Sequence, residues 1–313
     1  MNERHITGLT ASKGPKRSRR QLTRQLRNNL EGMLLVIPAL LLITIFAIIP
    51  MIYALFSSVY DVSLYTGTEF VGFENYQRVL HDTVFWSTFK TAFRYMLYVI
   101  PASLLLAFML ANLMIRIPKK AAGIFKASIY IPNVISGVIT SVIFIFIYDY
   151  DSGLANVLLE KIGIKRIGWV TDTKYAMLAV AIPAIWMSLG GTTLIMLSGL
   201  NDIPTVYYEA ASIDGANAFQ QLYKITLPSM RNVFIYLLVT SIVGSMQVFE
   251  LPNLITHGGP LYSTTTPNLH IYTHFINDTS LGYTVAASLV IFLLLAGLTA
   301  VIFRLISSEK SME

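Results

Sequence analysis

Six long stretches without a single charged residue divide this chain, and they restrict its possible folds more than any other feature. Each stretch holds between 18 and 29 residues, and a helix that crosses a bilayer needs about 20 mostly apolar residues. Inside lipid, only helices and closed barrels satisfy every backbone polar group. The sequence therefore predicts an all-α membrane protein with six transmembrane helices. The six stretches are residues 32–60, 95–115, 127–148, 175–201, 232–249 and 279–303.

Composition supports this prediction and excludes other classes of protein. Only 13% of the 313 residues are charged, whereas soluble domains average about 25%. The chain has no cysteine, which excludes a disulfide scaffold and a thiolate metal site. A seventh charge-free stretch, residues 251–277, contains Gly258, Gly259 and Pro260 followed by a Ser/Thr run. We predict a loop there because these residues favour turns.

The basic residues predict how the chain is oriented. Lys and Arg accumulate on the cytoplasmic side of membrane proteins, and 16 of the 23 in this chain fall on the side of the N-terminus. Both termini are therefore predicted to be cytoplasmic. The basic N-terminal tail is assigned to membrane lipid and topology, and not to nucleic acid, because no recognition motif accompanies it. The first span is too long for a signal peptide and is expected to remain as an anchor.

The predicted organisation has three parts. A basic cytoplasmic tail covers residues 1–30, a transmembrane domain covers residues 31–306, and a C-terminal cytoplasmic tail covers residues 307–313. The spans are expected at about residues 32–58, 90–115, 124–148, 175–200, 230–251 and 281–304.

The longest inner loop, residues 202–228, carries the strongest local pattern. Asp202 can cap a helix start and Pro204 is tolerated in a first turn, while Gly215 suits a helix end. We therefore predict a helix over residues 204–214 and a second short helix over residues 217–224. The first helix would present small residues beside one acid, which suits either a groove in a partner protein or a lipid surface.

This loop and two other segments resemble a known family. The loop reads Glu209-Ala210-Ala211, then Asp214-Gly215-Ala216, then Ile225-Thr226-Leu227-Pro228, which is similar to the EAA signature of ABC-importer permeases. The spacing matches, although Leu222 stands where the family commonly has Phe. Residues 71–76 and the Gly258-Gly259-Pro260 loop with Ser263-Thr264-Thr265 also fit. Over residues 30–306 the chain resembles the carbohydrate-uptake branch, of the maltose-F/glycerol-phosphate-A type.

The resemblance implies a MetI-like ABC permease fold and a set of partners. These are a second homologous permease, two cytoplasmic ATP-binding subunits and an extracellular solute-binding protein, in a bacterial cell membrane. The permease itself would be non-catalytic. It would need no cofactor, since ATP and Mg would bind to the partner subunits, and the chain has no phosphate-binding G-x-x-x-x-G-K-[ST] motif. The expected ATPase contacts, on a coupling helix between spans four and five, are Tyr208, Glu209, Ala210, Ala211, Asp214 and Gly215.

Polar residues within spans are costly in lipid and tend to face a cavity or another helix. Sugars need planar hydrogen-bonding groups and an aromatic face, and the family lines its sugar site with span five. The candidate solute-path residues are Gln247, Glu250, Trp186, Asn133, Ser245 and Tyr283. Each Ser could instead pack helices together, and Glu250 could be hydrated at the outer interface.

Three alternatives compete with sugar import. The solute could be glycerol phosphate, although the six charge-free stretches hold no Arg to bind phosphate. A secondary transporter would need charges inside its spans, and an intramembrane enzyme would need a reactive constellation. His270 and His274 lie at helical spacing that could serve a metal. We expected no third ligand nearby and no metal site.

Overall fold

The computed structural model describes residues 33–63, 67–277 and 281–309. The predicted basic tail and residues 310–313 lie outside this range. Residues up to Phe56 and residues from Ser57 onward form two compact units. In chain order the elements are α1 (Met33–Ser57), β1 (Tyr60–Ser63), β2 (Gly67–Phe70), α2 (Glu74–His81), α3 (Thr83–Ile115), α4 (Lys119–Val134), α5 (Gly137–Ile147), α6 (Leu154–Lys161), α7 (Ala176–Asn201), α8 (Thr205–Ile213), α9 (Ala218–Ser229), α10 (Arg231–Met246), α11 (Pro267–Asn277) and α12 (Gly282–Glu309).

Four single helices and two bent pairs could cross a membrane. The single helices are α1, α3, α7 and α12. The pairs are α4 with α5, bent by 92°, and α9 with α10, bent by 62°. The described residues thus offer up to six crossing segments. The helix α1 contains a π-helical turn, Thr44–Ile48.

The third predicted span differs from our expectation of one helix over residues 124–148. Its two halves are separated because Ile135 and Ser136 adopt extended backbone angles. The Ser136 side chain then accepts a hydrogen bond from the Ile139 N–H at 3.3 Å and caps the second half. Pro132 lies just before the break, and a proline removes a backbone donor. The span therefore exposes polar backbone groups where the sequence suggested an unbroken helix.

Small residues allow α7 to lie close to its neighbours. A Cβ on Gly190 would come within 2.7 Å of the Ile129 carbonyl on α4, and one on Gly199 within 2.7 Å of Val233 on α10. Such contacts are typical of helix packing in membranes, where close approach of backbones replaces the hydrophobic drive. One cluster of the core joins α3, α5 and α7, and a second, here called the Met230 cluster, joins α3, α7 and α10.

Short elements cover the connection between α1 and α3. Strands β1 and β2 pair antiparallel, with Tyr60 opposite Phe70. A short helix, α2, begins directly after Phe73. Its buried Asn75 donates to the carbonyls of Ser58 and Tyr60, each at 3.0 Å. This amide therefore fixes the strand pair against α2.

Candidate functional site

The loop between α7 and α10 forms a helical hairpin, here called the Glu209 hairpin (residues 205–229). Its two helices match the predicted pair in position. Gly215 has a φ of 77°, which glycine tolerates without strain, and the Ala216 N–H donates to the Ala211 carbonyl at 2.8 Å. Asn217 and Gln220 then form a reciprocal capping box that starts α9. Local sequence therefore determines the turn.

Internal contacts fix this hairpin to the helical core. The hydroxyls of Tyr208 and Thr226 lie 2.9 Å apart and share a hydrogen bond, and Gln221 Nε2 donates to Ser212 Oγ at 3.0 Å. The Tyr208 ring also packs against the Met230 cluster, which includes buried Ile203. Tyr208 was expected to contact an ATPase, but its side chain is half-buried against the protein itself. Its position suits a residue that holds α8 in place.

The remaining residues expected at an ATPase contact form the open side of the hairpin. Glu209, Ala210, Asp214 and Gly215 are exposed, and Ala211 is half-buried. Large apolar side chains accompany them and are exposed by 63% at Val206, 88% at Ile213 and 73% at Phe219. Exposed apolar groups beside an acid are typical of protein-binding surfaces. The open side of the hairpin thus combines one acid with exposed apolar side chains.

Two candidate solute-path residues lie near the break in the third span. The Glu250 carboxylate lies so close to Gly137 that any side chain at that position would collide with it. Asn133 lies just before the break, and its Oδ1 would be 3.3 Å from a Cβ on Gly191. Both side chains are exposed. An acid and an amide therefore flank the start of α5, where helical backbone donors are free of helical partners.

Gln247 and Trp186 lie at other places. Gln247 follows the last residue of α10 and, with Asn268 and Ser288, lines a groove of about 590 Å³. Asn268 Nδ2 donates to the Gln247 carbonyl at 3.0 Å, which positions the groove. Trp186 is half-buried, with its ring 5.9 Å from that of Phe144. Gln247 thus lies in a separate groove, and Trp186 lies beside α5.

The other two candidates are buried. Ser245 is 6% exposed and Tyr283 is 5% exposed. The Tyr283 hydroxyl donates to Asp82 Oδ2 at 2.5 Å and lies 2.9 Å from His270 Nε2. Tyr283 therefore belongs to a polar cluster at the ends of helices. In the described structure the two residues face protein and not an open path.

The expectation that no third ligand would lie near His270 and His274 is wrong. Asp82 provides a carboxylate oxygen close to both rings. Burial raises the pKa of Asp82, but hydrogen bonds from Tyr283 and from the Phe85 and Val84 N–H groups, together with His270, lower it more. The net pKa lies below its usual value, so this residue is a carboxylate at neutral pH. Sequence spacing could not reveal it, because Asp82 and His270 lie on different elements.

The segment before this cluster, here called the threonine loop (residues 252–266), is more ordered than a predicted loop suggests. Thr264, Thr265 and Thr266 are buried. Thr265 Oγ1 donates to the Gly258 carbonyl at 2.8 Å, and Thr266 Oγ1 donates to the Val248 carbonyl at 2.6 Å. The Ser/Thr run therefore satisfies the carbonyls of the glycine turn. The following helix, α11, was not predicted.

Comparisons with known proteins support a common fold. A family model described as binding-protein-dependent transport system inner membrane component matches residues 100–310. The permease protein of a sulfoquinovosyl glycerol transport system from Agrobacterium fabrum is 31% identical and covers 91% of this chain and 92% of its own length. A trehalose/maltose transport system permease protein from Thermococcus litoralis is also 31% identical, over 87% of this chain and 92% of its own.

A solved structure extends this similarity to three dimensions. The crystal structure of a bacterial ABC transporter involved in the import of the acidic polysaccharide alginate contains a similar chain, with a TM-score of 0.77 at 20% identity. The match covers 91% of this chain and 98% of the other. The predicted helical fold class is therefore confirmed.

Proposed function

The chain belongs to the family of binding-protein-dependent transport system inner membrane components, and from that membership we propose that it imports a neutral sugar or oligosaccharide. It is a multi-pass membrane protein and a non-catalytic permease subunit of an ABC importer. The observation that carries the proposal is the Glu209 hairpin, which is anchored to the core on one side and open on the other.

The names of two relatives support a carbohydrate as the solute. One belongs to a sulfoquinovosyl glycerol system and the other to a trehalose/maltose system. The six charge-free stretches hold no Arg that could bind a phosphate or carboxylate group, which favours a neutral solute, although Arg94 lies within α3. Glycerol phosphate is the alternative solute, and an ATPase-independent secondary transporter is the less favoured mechanism.

The proposed partners are a second homologous permease, two cytoplasmic ATP-binding subunits and an extracellular solute-binding protein. ATP and Mg²⁺ would bind to the ATP-binding subunits. Both termini, and with them the Glu209 hairpin, would face the cytoplasm, as the distribution of Lys and Arg favours. The family's dependence on a binding protein supports the extracellular partner.

In the proposed mechanism the hairpin transmits movement from the ATPases to the spans. Closure of the ATP-binding subunits would displace the exposed side of α8, which carries Glu209. Tyr208 and Thr226 hold this helix to α9. Ile203, just before the helix, is buried in the Met230 cluster. A firmly held element moves as a unit, so that the displacement reaches α7 and α10 and the pathway opens outward.

The proposed solute path passes the break in the third span. Asn133 and Glu250 flank this break, and Gln247 lies in the nearby groove. Irregular backbone is tolerated at membrane depth where it lines a cavity, and discontinuous helices form solute sites in other transporters. Carboxylate and amide groups are suited to the hydroxyls of a sugar.

Reversing the charge of Glu209 tests the proposed contact. In the complex reconstituted with its partners, Glu209→Lys is expected to abolish solute-stimulated ATP hydrolysis while leaving assembly partly intact, because a like-charge or unpaired contact replaces a complementary one. Glu69→Lys makes the same change of charge at an exposed position on β2 and should leave stimulation unchanged. Wild-type stimulation in Glu209→Lys would contradict the proposal.

The solute is tested separately by measuring ATP hydrolysis across a panel of compounds. The panel contains neutral mono- and oligosaccharides, glycerol phosphate, amino acids and peptides, each presented with the binding protein. We expect stimulation by neutral sugars. Stimulation by glycerol phosphate alone would favour the alternative solute, and a response only to amino acids or peptides would contradict a carbohydrate. Transport without any ATPase would support a secondary transporter.

A further inference from the structure

Three side chains with metal-binding atoms converge at one end of the helical core. Asp82 precedes α3, and His270 and His274 occupy successive turns of α11. One ligand atom from each residue lies within 4.8 Å of the other two. Asp82 Oδ2 and His270 Nε2 are 3.4 Å apart. Two ligands at zinc distances in a tetrahedral site are separated by about 3.3 Å, so that this pair already has the required spacing.

Neighbouring groups hold the Asp82 carboxylate in this orientation. Its Oδ1 accepts hydrogen bonds from the N–H groups of Val84 at 2.8 Å and Phe85 at 3.0 Å. Because α3 uses Oδ1 as its cap, Oδ2 is directed toward His270. The Tyr283 hydroxyl contacts both Oδ2 and His270 Nε2. The hydroxyl thus occupies the two atoms that an ion would use, and a bound ion would take the place of its hydrogen bond to Nε2, because a ring nitrogen has a single lone pair.

A cavity of about 720 Å³ lies next to these donors, and Asp82, His270 and His274 all line it. Tyr283 is not among its lining residues. His270 is 4% exposed and lies against the ring of Phe85. His270 thus lies at the buried side of the site, and the opposite side is open to the cavity. Three protein ligands with one open position are typical of zinc centres that bind a further ligand.

We propose that Asp82, His270 and His274 bind a divalent transition-metal ion of the zinc class, with the fourth position open to the cavity. Two imidazoles and one carboxylate favour such an ion over Ca²⁺ or Mg²⁺, which prefer oxygen ligands. The ion would tie the start of α3 to α11, directly after the threonine loop. The proposal does not depend on which solute the protein transports.

Zn²⁺ binding to the purified full-length chain, prepared without a polyhistidine tag, tests the proposal. Isothermal titration should detect a single site, and Co²⁺ should produce the visible absorption bands of a tetrahedral complex. His274→Ala should weaken Zn²⁺ binding by more than about 100-fold, because even outer-shell losses cost about 10- to 100-fold. Tyr283→Phe removes the hydroxyl that competes for His270 Nε2 and should leave Zn²⁺ affinity at or above that of the wild type.

The matched control is His81→Ala. His81 is exposed and its Nδ1 lies 2.8 Å from the Gln77 carbonyl, so its loss removes one histidine without touching the cluster. This variant should keep wild-type affinity. Zn²⁺ should raise the thermal midpoint of the wild type and of His81→Ala but not of His274→Ala, which separates lost binding from lost folding. Absence of single-site binding in the wild type, or undiminished affinity in His274→Ala, would overturn the proposal.

Discussion

The Glu209 hairpin and the threonine loop lie at opposite ends of α10 and are both built around a glycine in the left-handed conformation. Gly215 has a φ of 77° and Gly258 a φ of 79°. The surroundings of the two glycines differ. No described atom lies within 4 Å of the place that a Cβ on Gly215 would occupy, whereas a Cβ on Gly258 would lie 2.5 Å from Thr265 Oγ1.

This difference shows two uses of a turn. In the threonine loop the turn is enclosed, and buried hydroxyls hold its carbonyls. In the Glu209 hairpin the turn is open, and the hydrogen bond between Tyr208 and Thr226 holds the two helices together away from the turn. The enclosed turn is therefore part of the fold's stability, while the open turn leaves its surface available to a partner. Substitutions at matched positions can test this contrast.

The largest loss of stability is expected for Gly258→Ala. The left-handed backbone costs an L-residue roughly 1–2 kcal/mol, and crowding against Thr265 and Leu269 adds roughly 1–3 kcal/mol. Thr265 cannot easily move away, because its Oγ1 holds the Gly258 carbonyl at 2.8 Å. Unfolding in detergent, followed by circular dichroism, measures the loss. A variant as stable as the wild type would mean that the loop is not enclosed.

Thr265→Val should have the next largest effect. Valine keeps the shape of the side chain but leaves the Gly258 carbonyl without its hydrogen bond, which costs about 1–3 kcal/mol when the group is buried. The same unfolding assay applies. Thr205→Val changes an exposed threonine of the Glu209 hairpin and should alter stability by less than about 0.5 kcal/mol. Equal losses of unfolding free energy in Thr265→Val and Thr205→Val would contradict the distinction between an enclosed and an open turn.

The hairpin was the part most accessible to sequence reasoning, because its determinants are local. Pro204 precedes α8, Gly215 ends it, and Asn217 caps the helix that follows. Each acts on residues within a few positions of itself. The charge-free stretches similarly indicated the helical membrane class, because lipid imposes one requirement on every crossing segment.

The break in the third span and the cluster around Asp82 were not predictable in this way. Pro132 is visible in the sequence, but the contact between Gly137 and Glu250 joins segments that are far apart along the chain. Asp82 and Tyr283 likewise meet only in the folded protein. For this reason we expected Tyr283 in the solute path and overlooked Asp82 as a neighbour of His270.

Gly215→Ala should destabilise the protein less than Gly258→Ala. The variant bears only the left-handed strain of roughly 1–2 kcal/mol, since the described neighbours leave space for the added methyl group. Both variants bear the left-handed strain. The difference between their losses of unfolding free energy therefore measures the crowding around Gly258. A larger loss for Gly215→Ala than for Gly258→Ala would contradict the assignment of the open turn.

The smallest effect on stability is expected for Ile213→Ser, at the exposed end of α8. This side chain is 88% exposed, so the free energy of unfolding should change by less than about 0.5 kcal/mol. Solute-stimulated ATP hydrolysis should nevertheless fall, because the variant removes an apolar group from the proposed ATPase contact.

Ile203→Ser is the matched control at the buried base of the hairpin, where the side chain is 7% exposed. It should cost about 2–5 kcal/mol through the cavity and the lost burial. If Ile213→Ser also unfolded the protein, or left ATP hydrolysis unchanged, the open side of the hairpin would not be a partner surface.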